Sequence, residues 1–139
     1  MTIKAIQDEI VDEFSMFDDW MQRYEYIIEL GKSLPLIDKQ YKVDENIIKG
    51  CQSKVWVHGE EQDGKIVFTA DSDAILTKGI IAILIRAFSN QSPKAILDAN
   101  TDFIDEIGLK EHLSPTRANG LVSMIKQIKM YALAFEAKQ

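Results

Sequence analysis

Cys51 is the only cysteine in the sequence, and it stands in the run Gly50-Cys51-Gln52-Ser53-Lys54-Val55-Trp56-Val57. A lone thiol cannot close an internal disulfide or build a four-thiolate metal site. It either fills space, as buried cysteines often do, or acts alone as a nucleophile. Gly50 frees the backbone just before the thiol, and a strand-like run follows directly. The sulfur is therefore expected at a flexible loop-to-strand junction, where it can be offered to a partner and withdrawn. Gln52 and Ser53 are either ordinary turn polarity or hydrogen-bonding groups for that loop.

The reactive form is the thiolate, and free cysteine has a pKa of about 8.5. A nearby cation would raise the thiolate fraction. Arg117 is the first candidate. It falls in the first turn of the terminal helix, where the macrodipole disfavours positive charge. An arginine there needs an external reason: a carboxylate, a thiolate or a partner protein. Asp71 and Asp73 read first as helix caps; the alternative is that their loop packs near Cys51 and sets its exposure. Trp56 reads as a core aromatic. His58 is expected at the end of a strand, at roughly 3.3 Å per residue from Cys51, so a Cys51–His58 nucleophile–base pair would require the chain to bend. His112 precedes a helix. Cys51, His58 and His112 lack metal-ligand spacing, and no metal is expected.

These residues have to be positioned by the elements around them. Ile3, Ile6, Ile10, Phe14 and Phe17 recur at helical spacing over about 3–16. Asp18 or Asp19 can cap a second helix carrying Trp20, Met21, Tyr24, Ile27 and Ile28, with Gly31 and Pro35 as stop signals. Residues 35–50 read as a long polar loop, of a kind often functional, with a weak strand near Tyr41 to Val43. Val55–Val57 and Ile66–Thr69 read as two strands joined at Asp63-Gly64, a hairpin signal. Ser72 or Asp73 can cap an apolar helix over about 74–89, the central buried one, with Ile75, Leu76, Ile80, Ile81, Ile83, Leu84 and Ile85. Close packing against the sheet is the expected reason for Gly79. Ser92-Pro93, Thr101 and Ser114-Pro115 mark three further helix starts. The last opens a helix with Leu121, Met124, Ile125, Ile128, Tyr131, Ala132 and Phe135. The fold class is α+β: several helices packed on a small antiparallel sheet.

At 139 residues the chain suits one domain over 1–139, and a chain of that size needs no disulfide or metal staple. With 46% hydrophobic and 27% charged residues it has an ordinary globular composition. Its net charge of −6, from 22 acidic and 16 basic residues, opposes non-specific binding to nucleic acid or anionic membranes. The N-terminus lacks a signal-peptide pattern. The longest apolar stretch, Ala74 to Phe88, is broken by Lys78 and Arg86 and falls short of the ~20 residues of a membrane span. A cytosolic protein is expected, in a reducing compartment that keeps Cys51 a thiol.

Four strings, in order and spacing, resemble the SufE family of sulfur acceptors. They are Gly50 to Val57; Tyr26-Ile27-Ile28-Glu29-Leu30-Gly31 followed by Leu34-Pro35; Asp71-Ser72-Asp73-Ala74 with Lys78-Gly79; and His112-Leu113-Ser114-Pro115-Thr116-Arg117 followed by Gly120-Leu121. Together they cover nearly the whole chain. The resemblance implies a fold like that of IscU-type iron–sulfur scaffold proteins. It implies that Cys51 accepts a sulfane sulfur as a persulfide, and it also points to Arg117; Gly50, Gln52, Ser53 and Asp73 are the further residues expected to support the thiol. The implied donor is a pyridoxal-phosphate-dependent cysteine desulfurase of the SufS type, whose turnover the acceptor speeds. The implied recipient is an iron–sulfur scaffold complex of the SufBCD type. No cofactor of the chain's own is implied. The family suggests a homodimer, though no feature of the sequence demands one. A single thiol also suits sulfur carriage better than cluster holding, which takes several ligands. Two other readings stand beside this one: an independent thiol enzyme, and an interaction module in which Cys51 is inert.

Overall fold

The hairpin forms where Asp63-Gly64 predicts it. Asp63 has φ 54° and Gly64 φ 80°, the left-handed pair of a type I′ turn, whose twist matches that of the flanking strands. In the computed structural model, which describes residues 1–138, strands β1 (Val55–Gln62) and β2 (Lys65–Ser72) pair antiparallel with Gln62 opposite Lys65 and Val55 opposite Ser72. Alternation then does the sorting. Val55, Val57, Ile66, Phe68 and Ala70 are buried on one face, while Trp56 and His58 lie on the other, only partly covered. Trp56 is thus not the expected core aromatic; its ring carries the Lys42 ammonium 4.7 Å from its centroid.

Helices cover the apolar face. α1 (Ile3–Ser15) is capped by Thr2, and α2 (Trp20–Gly31) by Asp19, whose carboxylate accepts from the Gln22 amide at 2.8 Å. α3 (Ile75–Phe88) runs through the centre, with Ile80, Ile81, Ile83, Leu84, Ala87 and Phe88 all buried. Short helices α4 (Pro93–Asp98), α5 (Asp102–Glu106) and α6 (Leu109–His112) lead to the long α7 (Pro115–Lys138). Ser92 and Ser114 cap α4 and α7 as their Ser-Pro pairs predict. The buried apolar residues form one cluster. The α+β class, helices on a small antiparallel sheet, is what the structure has.

Several expectations give way to tertiary partners. Gly79 packs against α2, not the sheet: a β-carbon there would sit 2.1 Å from the Ile27 carbonyl oxygen. Gly31 completes the crossing, since its own β-carbon would lie 3.0 Å from the Gly79 nitrogen. Ile75 is 68% exposed, at the start of α3 and outside its buried stripe. Neither Ser72 nor Asp73 caps α3; its N-cap is Ala74, with no side-chain bond. Thr101 makes no cap bond either, and the Asn100 side chain accepts from the Asp102 amide at 3.1 Å instead. Residues 41–43 form no strand. Tyr41 ends a 3-10 turn (Lys39–Tyr41) and a second turn spans Asp44–Asn46. The loop nonetheless binds both sheet edges, through bridges Leu36 to Ala70 and Ile47 to Trp56. Exposed edge groups are satisfied this way without a third strand.

A charged cluster ties α1, α2 and α3 together. The Arg86 guanidinium on α3 donates to Glu9 at 2.6 Å and to Glu13, both on α1; the Tyr26 hydroxyl on α2 also donates to Glu13. The Arg86 hydrogen bond holds the Glu13 carboxyl below its ordinary pKa. Near α4, the Lys129 ammonium donates to the carbonyls of Ile96, Leu97 and Ala99 at 3.0, 3.3 and 2.6 Å, closing the end of that helix.

Candidate functional site

The segment carrying Cys51 is pinned at both ends and free between them. Upstream, the Ile48 amide donates to Val55 O at 2.8 Å. Downstream, Lys54 is held by the turn that leads into α3. Its amide donates to Asp73 Oδ1 at 3.1 Å, and its carbonyl accepts from Ser72 Oγ at 2.9 Å and from the Asp73 amide at 3.3 Å. These bonds replace the helix caps expected of Ser72 and Asp73: both side chains serve the loop. Asp71 braces the same turn, pairing with Lys42 at 2.9 Å and Lys78 at 3.5 Å. Among the described residues, 49–53 make no backbone–backbone hydrogen bond outside regular elements. Few backbone bonds mean a low cost of local opening.

Glycine sets the path of this segment. Gly50 has φ 91°, and a β-carbon on it would fall 2.8 Å from Ser123 Oγ of α7. Any other residue would be strained and crowded there. Gly120, one turn earlier on α7, brings the helix against the thiol: a β-carbon there would lie 3.3 Å from Cys51 Sγ. The thiol donates to Gly120 O at 3.6 Å, a long sulfur hydrogen bond.

Cys51 is half-buried and opens on a cavity of about 10 Å³ lined by Gln52, Ser53, Thr77, Ile80, Arg117, Gly120 and Met124. That is roughly the space of one water, a single-atom scale. Burial pushes the Cys51 thiol above its ordinary pKa, because a desolvated thiolate is disfavoured. Arg117 is brought to the cavity, as its odd place in the helix hinted, and among the described residues it has no carboxylate partner. At rest, burial governs the thiol and the cation does not reverse it.

The sequence candidates thus divide. Gly50, Gln52, Ser53 and Arg117 surround Cys51; Asp73 stands one step back, holding Lys54. The histidines are elsewhere. His58 is within β1, not at its end. It stacks on Tyr41 with ring centroids 3.7 Å apart, and its Nε2 lies 3.0 Å from Glu60. His112 is the last residue of α6, stacked on Trp20 at 4.1 Å, with Nδ1 2.9 Å from Gly108 O. Neither lines the thiol's cavity. No group of three or more His, Cys, Asp or Glu among the described residues is arranged to hold a metal. No helix among them is long and apolar enough to cross a membrane.

Sequence reasoning missed Thr77, Ile80, Ser123 and Met124. Ile80 and Met124 read only as apolar helix positions, and Thr77 and Ser123 carry no signal in the sequence. It quoted Gly120 but gave it no role, since a glycine inside a helix signals a close approach without naming what approaches.

The SufE family model, described as Fe-S metabolism associated domain, matches residues 8–132. An uncharacterized SufE-like protein of Rhizobium meliloti is 43% identical over 131 residues, covering 90% of this chain and 93% of that one. One from Synechocystis is 36% identical, covering 94% and 82%. SufE-like protein 1, chloroplastic/mitochondrial, of Arabidopsis thaliana is 39% identical over 94% of this chain but 35% of its own length. The solution structure of a hypothetical protein from Thermus thermophilus matches with a TM-score of 0.79 at 19% identity, covering 95% of this chain and 96% of that one, and shows a shared fold. With its fold, its lone thiol and these relatives in agreement, the chain belongs to the SufE family, whose description places it in iron–sulfur metabolism.

Proposed function

We propose that the chain is a sulfur acceptor and activator for a pyridoxal-phosphate-dependent cysteine desulfurase of the SufS type. In this reading Cys51 takes sulfane sulfur as a persulfide and passes it to an iron–sulfur scaffold complex of the SufBCD type. One observation carries the reading: the only thiol sits on a segment without backbone bonds, withdrawn into a one-atom cavity beside a cation. A hydrolytic nucleophile needs a base beside it, and none of the residues lining the cavity is one. A space-filling cysteine needs no glycine-dependent loop around it.

The transfer is thiol–disulfide exchange with a persulfide as the disulfide. The Cys51 thiolate attacks the outer sulfur of the donor's persulfide. A sulfur–sulfur bond forms to Cys51, the donor's sulfur–sulfur bond breaks, and the donor cysteine leaves as a thiolate. No external oxidant is consumed. For attack the segment 49–53 has to leave the α7 surface, which exposes the thiol to solvent and removes the burial that holds its pKa up. Arg117 then supports either the thiolate or the partner contact. Docking and activation are thereby coupled: the same movement that lets the donor in raises the thiolate fraction.

The test is intact-protein mass after mixing the chain with a SufS-type desulfurase and free cysteine, without reductant. A gain of one sulfur, removed by reductant and absent in Cys51→Ser, is expected, with Arg117→Ala gaining it several-fold more slowly. An unloaded chain beside loaded donors of every type tried returns Cys51 to a space-filling role. A wild-type rate in Arg117→Ala removes that residue from the site.

A further inference from the structure

Two polar side chains are buried among the described residues, Gln7 and Thr77. Gln7 is satisfied: its amide donates to Asn100 O at 2.9 Å. Thr77, 6% exposed on α3, makes no side-chain hydrogen bond to the described protein. A helical threonine commonly turns its hydroxyl back on the carbonyl four residues earlier, and this one does not. No fully buried side-chain nitrogen or oxygen among the described residues lacks a partner. The Thr77 hydroxyl therefore keeps an opening, and the space its side chain lines is the Cys51 cavity.

A hydroxyl on a residue lining the thiol's cavity has little to do while the thiol is empty, since Cys51 already donates to Gly120 O. Loading changes the demand. A persulfide adds one sulfur about 2 Å beyond Sγ, and that outer sulfur carries the negative charge. An anion in a half-buried cavity is costly without donors. Gln52 and Ser53 sit on segment 49–53, which has no backbone bonds of its own, and Arg117 lines the cavity from the first turn of α7. Thr77 alone among the polar lining residues is anchored on the buried central helix, beside Ile80.

We propose that the Thr77 hydroxyl donates a hydrogen bond to the outer sulfur of the Cys51 persulfide and holds it in the cavity between acceptance and delivery. Thr77 is thus a positioning residue for the loaded state and idle in the empty one. This rests on the sulfur-acceptor reading, so its test loads the thiol without a desulfurase. Inorganic polysulfide serves: the Cys51 thiolate attacks a terminal sulfur, a bond to that sulfur forms, and a polysulfide shorter by one sulfur leaves.

The experiment compares wild type, Thr77→Val and Thr77→Ser, with folding checked by circular dichroism. Alkylation by iodoacetamide is followed by intact mass against pH, for the empty and the loaded chain. Valine keeps the shape and deletes the donor; serine keeps the donor. The loaded profile of Thr77→Val is expected to move up by about one pH unit, which is about tenfold slower alkylation on the acid side of its midpoint, as fits one lost bond to a charged group. Its empty profile, and both profiles of Thr77→Ser, are expected to stay at wild type. A Thr77→Val loaded profile that does not move overturns the proposal, as does an equal shift of both profiles, which would be packing. Failure of desulfurase loading would sink the sulfur-acceptor reading while leaving the polysulfide result to stand on its own.

Discussion

Gly79 and Gly120 use the same device, a glycine on a helix that admits a close neighbour, and they use it for opposite ends. At Gly79 the neighbour is backbone: the Ile27 carbonyl would be 2.1 Å from any β-carbon. Backbone of a packed helix cannot retreat without separating α2 from α3. At Gly120 the neighbour is the Cys51 side chain, 3.3 Å from a β-carbon, on a segment with no backbone bonds of its own. That neighbour can yield. The first contact builds a rigid frame; the second is a rest that a reactive group can leave. Glu13, Arg86 and Tyr26 reinforce the frame on the first side, whereas Asp73 and Ser72 pin only the border of segment 49–53 on the second. Stability is concentrated where nothing has to move.

The comparison is easiest to break at the frame. Gly79→Ala is expected to cost about 3 kcal/mol or more, the upper range of overpacking, read as a lowered urea midpoint. A near-neutral result would mean that the α2–α3 crossing is as adjustable as the loop. Next in size, Asp73→Ala removes the acceptor of the Lys54 amide and frees the border of the segment. Alkylation of Cys51 should speed several-fold with stability changed by about 1 kcal/mol or less. An unchanged rate would show that the segment opens without releasing Lys54.

The thiol's pKa supplies a third test. Burial raises it in the folded chain, while in urea it returns to about 8.5. The midpoint of alkylation against pH should therefore lie higher in the native chain than in the unfolded one. Linkage has the same sign: any stability from this group is full below the unfolded pKa and is lost as pH rises through the folded one. A native midpoint at or below the unfolded value would mean that Arg117 overrides burial, and the resting state would already be activated. The smallest effect is expected for Gly120→Ala. The helix gains up to ~1 kcal/mol of propensity, which offsets a displacement of the thiol by a few tenths of an ångström. Stability should stay within about 1 kcal/mol of wild type, with Cys51 more readily alkylated. A loss as large as that of Gly79→Ala would erase the distinction between frame and rest.

Much of this was legible in the residues. Asp63-Gly64, Ser92-Pro93 and Ser114-Pro115 act over two to four positions, so they settle their turn and caps wherever the segment lies. The apolar periods of α1 and α7 announce which faces turn inward, while α3, apolar nearly all round, announces only that it is buried. A single cysteine after a glycine, with family-like strings around it, marks the candidate site, and an arginine in a first helical turn hints that something outside the helix wants it. Tertiary structure decided the rest, because the deciding partners are distant in sequence. Cys51 and the Gly120 carbonyl are 69 positions apart, and Lys54 reaches Asp73 across the hairpin. Ser72 and Asp73 have the right types for helix caps, but the loop's amide and carbonyl compete for them and prevail. Thr77 carries no signal of its own until α3, α7 and the Cys51 segment meet around it. Local preference is a property of a few adjacent dihedrals and is written in composition. The polarity of a cavity depends on which distant side chains share it, and only the packed chain sets that.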